Sequence, residues 1–276
     1  MAVGDITLSS AARSNLVALQ NTTKLLERTE ERLSTGKKIN GATDDATAYF
    51  ASQGFLNSAS NLSTIKDNLS TSLETVNSFV DSIDSVTDII DQLKGLVTQA
   101  LGSTNTTTRA GLASQFNALT TQLDQLVNDA TFNGTNLLNS TTNKLTIYFN
   151  EGNTTALTIT GVNITAAGLL GDTGKAAANA WVADTDIQTA QSYLLTAAST
   201  LTTDASNFGS NATLIETRES FTSNMISALQ NASDCLVTCD TNEEGANLQA
   251  LQAQAQLGIT ALGVSGSLST AILNIL

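Results

Sequence analysis

Residues 48–100 read AYFASQGFLNSASNLSTIKDNLSTSLETVNSFVDSIDSVTDIIDQLKGLVTQA, and the spacing of their apolar side chains decides the fold. Ala48, Ala51, Phe55, Ser58, Leu62, Ile65, Leu69, Ser72, Val76, Phe79, Ile83, Val86, Ile90, Leu93, Val97 and Ala100 follow one another in alternating steps of three and four. Only Ser58 and Ser72 are polar. Such a repeat makes a helix with a continuous apolar seam, which winds left-handed around partner helices. At a rise of 1.5 Å per residue the helix is about 80 Å long, a length found in elongated bundles rather than globular domains.

The same spacing recurs on both sides. Upstream, Leu16, Leu19, Leu26 and Leu33 share a seam with Thr23 and Glu30. That helix is expected to stop at Gly36, a C-terminal cap that follows a basic last turn. The long helix is expected to begin at Thr43 or Asp44, with Asp44 and Asp45 at its positive end. Downstream, Leu112, Phe116, Leu119, Leu123, Leu126 and Ala130 form a third helix, broken by Asn133-Gly134. Two β-like runs, Leu145–Phe149 and Ala156–Thr160, flank Asn150–Thr155 and read as a hairpin. Residues 161–184 are rich in Gly, Ala and Asp, are expected to be irregular, and contain Trp181. A fourth long helix carries Ile187, Leu194, Leu201, Phe208, Ile215, Leu229 and Leu236, its seam weakened by Asp204, Asn211, Arg218 and Thr222. A last helix fills Ala246–Leu276. The expected fold is mainly α: an elongated coiled-coil helical bundle with a small mid-chain β-hairpin and paired N- and C-terminal helices.

Composition supports rods and argues against catalysis. The 276 residues include no proline and no histidine, with 41% hydrophobic and 13% charged. Roughly 39% must therefore be Ser, Thr, Asn and Gln, far above ordinary usage. A chain without a helix breaker suits uninterrupted helices. Without imidazole there is no His-based acid, base, nucleophile pair or metal ligand. Acid pairs such as Asp44/Asp45 and Glu243/Glu244 are sequence neighbours and do not converge on one helix face. No catalytic, cofactor or metal residues are expected. The net charge of −13 argues against nucleic acid and anionic membrane as partners.

Charge is unevenly spread. Residues 1–38 hold Arg13, Lys24, Arg28, Arg32, Lys37 and Lys38 against four acids, whereas Gly245–Leu276 has no charged residue at all. Leu257–Leu276 is long enough to span a bilayer. Yet it carries Thr260, Thr270, Asn274 and serines, and it lacks flanking basic or aromatic anchors. It reads as a helix buried by protein, without membrane insertion. One partner helix cannot cover such a surface, so neighbouring copies are expected to do so. The N-terminus, MAVGDITLSSAAR, shows no cleaved secretory signal. Cys235 and Cys239 lie four apart and are expected as small buried apolar residues on one helix face.

Three separated motifs resemble bacterial flagellins. Residues 32–46, RLSTGKKINGATDDA, are similar to the family's N-terminal signature, in which Arg32, Leu33, Gly36, Ile39, Asn40, Asp44 and Asp45 stand out. Residues 131–138, TFNGTNLL, are similar to its second motif and include Phe132, Asn133 and Gly134. Leu236–Glu244, Leu248–Gln252 and Gln256–Gly258 resemble the C-terminal segment of the short alphaproteobacterial type. The resemblance implies that residues 1–43 and 236–276 pair as an inner layer and that 44–235 form an outer bundle with its hairpin at 144–160. No large variable outer domain is expected, since about 45 residues separate Leu138 from the returning helix. Leu16, Leu19, Leu26, Leu33, Leu248, Leu251, Leu262, Leu268, Ile272 and Leu276 are the expected packing and assembly residues.

The implied function is a structural subunit that polymerises into the flagellar filament for swimming. The resemblance also implies secretion through the flagellar type III apparatus, with a secretion chaperone and a filament cap as further partners. A hook–filament junction protein, which shares the terminal architecture, is the alternative. A coiled-coil signalling module with a C-terminal membrane anchor is the second.

Overall fold

A computed structural model describes residues 10–273. Six helices and one hairpin follow in order: α1 (Ser10–Thr35), α2 (Ala46–Gly102), α3 (Thr106–Asp129), β1 (Lys144–Tyr148), β2 (Ala156–Thr160), α4 (Ala166–Gly174), α5 (Asp184–Val237) and α6 (Thr241–Leu273). The chain divides into two compact units. One is drawn from residues up to Ser58 and from Ser227 onward, the other from Ala59–Ile226.

The unit of Ala59–Ile226 holds a single apolar core. On α2 every seam position from Leu69 to Ala100 is buried except Ser72. Leu112, Phe116 and Leu123 of α3 and Ile187, Leu194, Leu201, Phe208 and Ile215 of α5 complete it. Phe79 and Phe208 meet with ring centroids 6.4 Å apart. The polar members of the α5 seam are accommodated singly. The Thr222 hydroxyl donates to the Arg218 carbonyl at 2.8 Å, and the Arg218 guanidinium lies 5.0 Å over the Phe149 ring.

The hairpin and its flanking loops contribute Leu137, Leu138, Ile147, Ile159 and Ile164 to this core. β1 and β2 are antiparallel, with Thr146 opposite Thr158, so that Ile147 and Ile159 are buried while Lys144, Thr146, Thr158 and Thr160 face outward. The alternation follows from the two-residue period of a strand. Before the hairpin, Phe132 and Thr135 exchange backbone hydrogen bonds at 2.9 Å each, around Asn133 and Gly134 with φ of 49° and 79°. This is the two-residue turn that requires positive φ at both central positions, which Asn-Gly supplies. Leu137 and Leu138 then run beside 162–164, with Val162 and Ile164 donating to their carbonyls.

Residues 161–184 depart from the irregular segment expected. Thr165 caps α4, its hydroxyl accepting from Gly168 N, and Leu169 and Leu170 of that helix enter the core. One apolar turn after a capping threonine suffices when tertiary burial holds it, and the backbone kinks at Gly171, with φ of 69°, before a last polar turn. A tight turn with positive φ at Asn179, Ala180 and Trp181 drives Trp181 into the core, edge-on to Phe116 at 5.1 Å.

In the other unit, α1 and α6 pack on each other. The long seam of α2 is not maintained there. Ala51 is exposed, and Ser52 is buried instead, sharing a 2.8 Å hydroxyl–hydroxyl hydrogen bond with Ser233. Here α2 faces the last turns of α5 and the loop at 37–40, and a different partner selects a different face.

Candidate assembly interface

The terminal helices pair antiparallel. Leu19 lies against Gly258, where an added Cβ would stand 3.2 Å from Leu19 Cδ1, while Arg32 meets Glu244 at the other end. The Arg32–Glu244 bond is 3.0 Å long, with Glu244 8% exposed. A glutamate in the first turn of α6 also suits the positive end of that helix.

The N-terminal signature forms the junction below this pair. Gly36 ends α1 with φ of 68°, a left-handed position that glycine adopts without a Cβ penalty. The chain beyond it pairs with the turn between α5 and α6. Lys38 N donates to Val237 O at 2.7 Å, and Cys239 N donates to Gly36 O at 3.0 Å. Ile39 is buried, and Asn40 and Leu33 are half-buried.

The two aspartates divide the work. Asp45, not Thr43 or Asp44, caps α2: its Oδ1 accepts from Ala48 N at 3.0 Å, three residues on. Asp44 turns back to the loop, where its Oδ2 accepts from Asn40 N at 2.9 Å and Gly41 N at 3.3 Å. The Asn40 N–H, with smaller help from Gly41, Arg32 and Arg28, holds the Asp44 carboxyl below its ordinary value.

The cysteines differ from expectation. Cys235 is exposed and Cys239 half-buried, and both are free thiols. Since α5 ends at Val237, Cys239 sits in the turn beyond the helix, with its Sγ 3.4 Å from the Arg32 carbonyl.

Of the expected packing residues, Leu19, Leu26, Leu33, Leu248, Leu251 and Leu262 are half-buried, whereas Leu16 and Leu268 are exposed. Leu276 and the Ile272 side chain lie outside the described residues. Val17, Leu25, Leu257, Ile259 and Val264 are also exposed on α1 and α6, and the seam reading passed over them. Leu25 borders the cleft between the two helices, while Val17, Leu257, Ile259 and Val264 stay open to solvent. The available signal was the absence of charge on every face of the last helix from Gly245 onward. No helix among the described residues is long and apolar enough to cross a membrane.

Phe132, Asn133 and Gly134 belong to the other unit and have the turn role described above. Two residues there escaped sequence reading. Arg109, buried, donates from Nε to the carbonyls of Ala100 at 3.2 Å and Ser103 at 2.6 Å, and from Nη1 to Val182 at 3.3 Å, while Nη2 pairs with Asp184. Asn136, also buried, donates to Val127 O at 2.7 Å and accepts from Leu138 N at 2.8 Å. Nothing in their spacing distinguishes them, because both act on backbone groups of turns.

The chain is similar to known proteins. A family model described as the bacterial flagellin N-terminal helical region matches residues 6–143. Flagellin FljO of Caulobacter vibrioides is 30% identical over 100% of this chain and 99% of its own length. A flagellin of Brucella melitensis is 28% identical over 99% of each chain. A crystal structure of Bacillus cereus flagellin superimposes on 59% of this chain and 94% of its own, with a TM-score of 0.49 and 19% identity.

Proposed function

Because this chain belongs to the bacterial flagellin family, we propose that its C-terminal helix, uncharged from Gly245 on and paired with α1, forms the contacts that hold one copy to the next in the filament. The chain is a structural subunit of the flagellar filament. In our reading, residues 1–43 and 236–276 build the inner layer of that filament, and 44–235 the outer bundle. The expected assembly residues, from Leu16 through Leu268 to Leu276, act at the inner contacts. The subunit performs no catalysis. It leaves the cell through the flagellar export apparatus, attended by a chaperone, and joins the filament under its cap outside the cell.

One observation carries the assembly reading. Helix α6 already has α1 as a partner, yet Leu257, Ile259, Val264 and Leu268 are 54–70% exposed on it, with no charged residue between Gly245 and Leu276. Burying such a side chain from full exposure is worth roughly 1.5–3 kcal/mol, of which about half to two thirds is still to be gained here. Several per copy, repeated along a polymer, supply the driving force.

The test deletes Gly245–Leu276. The truncated chain should keep the circular dichroism of a helical protein and fail to extend seeded filaments. Filaments of normal length from the truncated chain would refute the reading.

A further inference from the structure

Trp181 is the only buried residue between Lys175 and Asp186, and Ala178, Asn179, Ala180, Val182 and Ala183 around it are exposed. The indole is thus a plug carried by an exposed loop and seated edge-on to Phe116 of α3. That seat carries two costs. Asn179, Ala180 and Trp181 stand at φ of 48°, 51° and 59°, consecutive left-handed positions without a glycine. Asparagine tolerates this region, whereas alanine and tryptophan press Cβ against the following carbonyl. The indole Nε1–H is also closed to solvent, and it is the one buried side-chain polar group left without a hydrogen-bond partner among the described residues. Buried donors are almost always paired, because an unpaired one gives up its hydration for nothing.

Little within the loop offsets these costs. Val182 N donates to Asn179 O and Asn179 Nδ2 to Asp186 Oδ2, each at 3.3 Å, beyond the usual range for such bonds. The ends of the loop are tied instead to α3. Ala177 N donates to Asn117 Oδ1 at 2.8 Å. At the other end Val182 O accepts from the buried Arg109, whose guanidinium is braced by the Ala100 and Ser103 carbonyls. Between these two ties, only the burial of the indole keeps Ala178–Trp181 in its left-handed turn.

We propose that Ala178–Trp181 is a latch with two states. In the shut state the indole sits beside Phe116 and the backbone holds its three left-handed residues. In the open state the ends stay tied to α3, the turn relaxes to negative φ, and the indole swings out with its N–H bonded to water. Opening relieves both costs and gives up one buried ring and one aromatic contact. The open state therefore lies much closer in free energy to the native state than the unfolded chain does. It uncovers apolar surface on α3 and on the loop at once, beside Val182, which is already 61% exposed. The latch lies within the unit of Ala59–Ile226 and acts independently of assembly.

The full-length protein tests this through its single tryptophan, which gives one indole N–H signal by nuclear magnetic resonance of isotope-labelled chain. Exchange of that proton with deuterated water is followed at rising urea below the unfolding transition, alongside the backbone amides of α2. Relative to its intrinsic rate, the indole proton should exchange at least about a hundredfold faster than the slowest α2 amides. Its rate should hardly depend on urea, because local opening exposes little surface. Ala180→Gly, which removes Cβ at a left-handed position, should slow indole exchange about threefold, the relieved strain outweighing the added freedom of glycine. Ala178→Gly, at a position without positive φ, should leave the exchange unchanged or quicken it. Indole exchange as slow and as urea-dependent as that of the α2 amides would overturn the proposal, because the plug would then leave only on global unfolding. Ala180→Gly exchange no slower than the original would also overturn it, as would equal slowing by Ala178→Gly.

Discussion

Replacing Arg109 by alanine should destabilise the unit of Ala59–Ile226 by about 3–4 kcal/mol, a figure that follows from its four partners. A hydrogen bond from a charged donor contributes roughly 1.5–3 kcal/mol net. The bond to Ser103 O at 2.6 Å is short, but those to Ala100 O and Val182 O, at 3.2 and 3.3 Å, belong at the low end. The Ala100 carbonyl also keeps the Ser103 N–H at 3.2 Å after the change, so its loss is partial. The ion pair with Asp184 adds little, because that carboxylate is 65% exposed and an exposed pair is worth under about 1 kcal/mol. For a unit of this size, each kcal/mol lowers Tm by about 2–4 °C, giving a fall of roughly 10 °C. The single tryptophan, Trp181, is fully buried against Phe116 in the same unit and reports unfolding by fluorescence. In urea titrations of the full chain the midpoint should fall with the slope unchanged. Asp184→Asn should cost less than about 1 kcal/mol. An Arg109→Ala loss below about 1 kcal/mol, or an Asp184→Asn loss equal to it, would refute the view that Arg109 works by satisfying turn carbonyls.

Asn136→Ala removes donors to Val127 O and Asn128 O and acceptors for Leu138 N and Asn139 N, and should cost about 2–4 kcal/mol in the same urea assay. Asn136→Asp keeps the acceptors but sets a carboxylate against two carbonyls, so its Tm deficit should shrink as pH falls towards 4 and the acid protonates. Asp204, on the α5 seam, has its carboxyl raised by burial. A carboxyl raised in the folded state penalises folding above that raised value, and the penalty disappears as pH falls below the unfolded value of about 3.9. Asp204→Asn should therefore raise Tm at pH 7 and lose that advantage at pH 3.5; an equal gain at both would show that charge burial is not the cause.

The legible parts of the fold were those set by periodicity. Leu69 to Ala100 read correctly because one apolar seam with one set of partners buries every position but Ser72. The same repeat misled at Ala51, since the seam rule assumes a constant partner and α2 meets the end of α5 and the 37–40 loop there. Local chemistry was also legible: Gly36 and Asn133-Gly134 need positive φ, and that need is written in the residue type. The one-residue displacement of the α2 cap from Asp44 to Asp45 shows the limit of such reading. Adjacent aspartates are equivalent as caps until the loop demands one of them, and Asn40 N and Gly41 N claim Asp44. Helix α4 and Arg109 were not legible because each depends on groups distant in sequence, and Asn136 was not because its partners are backbone groups of its own turn and of the end of α3. Ala166 N, for example, opens α4 by donating to Asp124 of α3 at 2.7 Å.

The abundance of hydroxyl residues finds a physical account in how they are bonded. Along the helices, Thr71, Thr75, Thr98, Thr196, Thr200, Thr213 and Thr260 each donate to the carbonyl four residues back, as do Ser72, Ser85 and Ser267. Such bonds weaken a helix slightly by competing for its carbonyls. In exchange, the hydroxyl proton is already satisfied before any neighbour arrives, and a threonine then presents its methyl group outward. Covering a surface of this kind removes water without stranding donors, whereas covering lysine or glutamate strips hydration from a charge. A subunit that polymerises gains from surfaces that are polar enough for water yet cheap to dehydrate. Helices studded with back-bonded threonine and serine meet both demands.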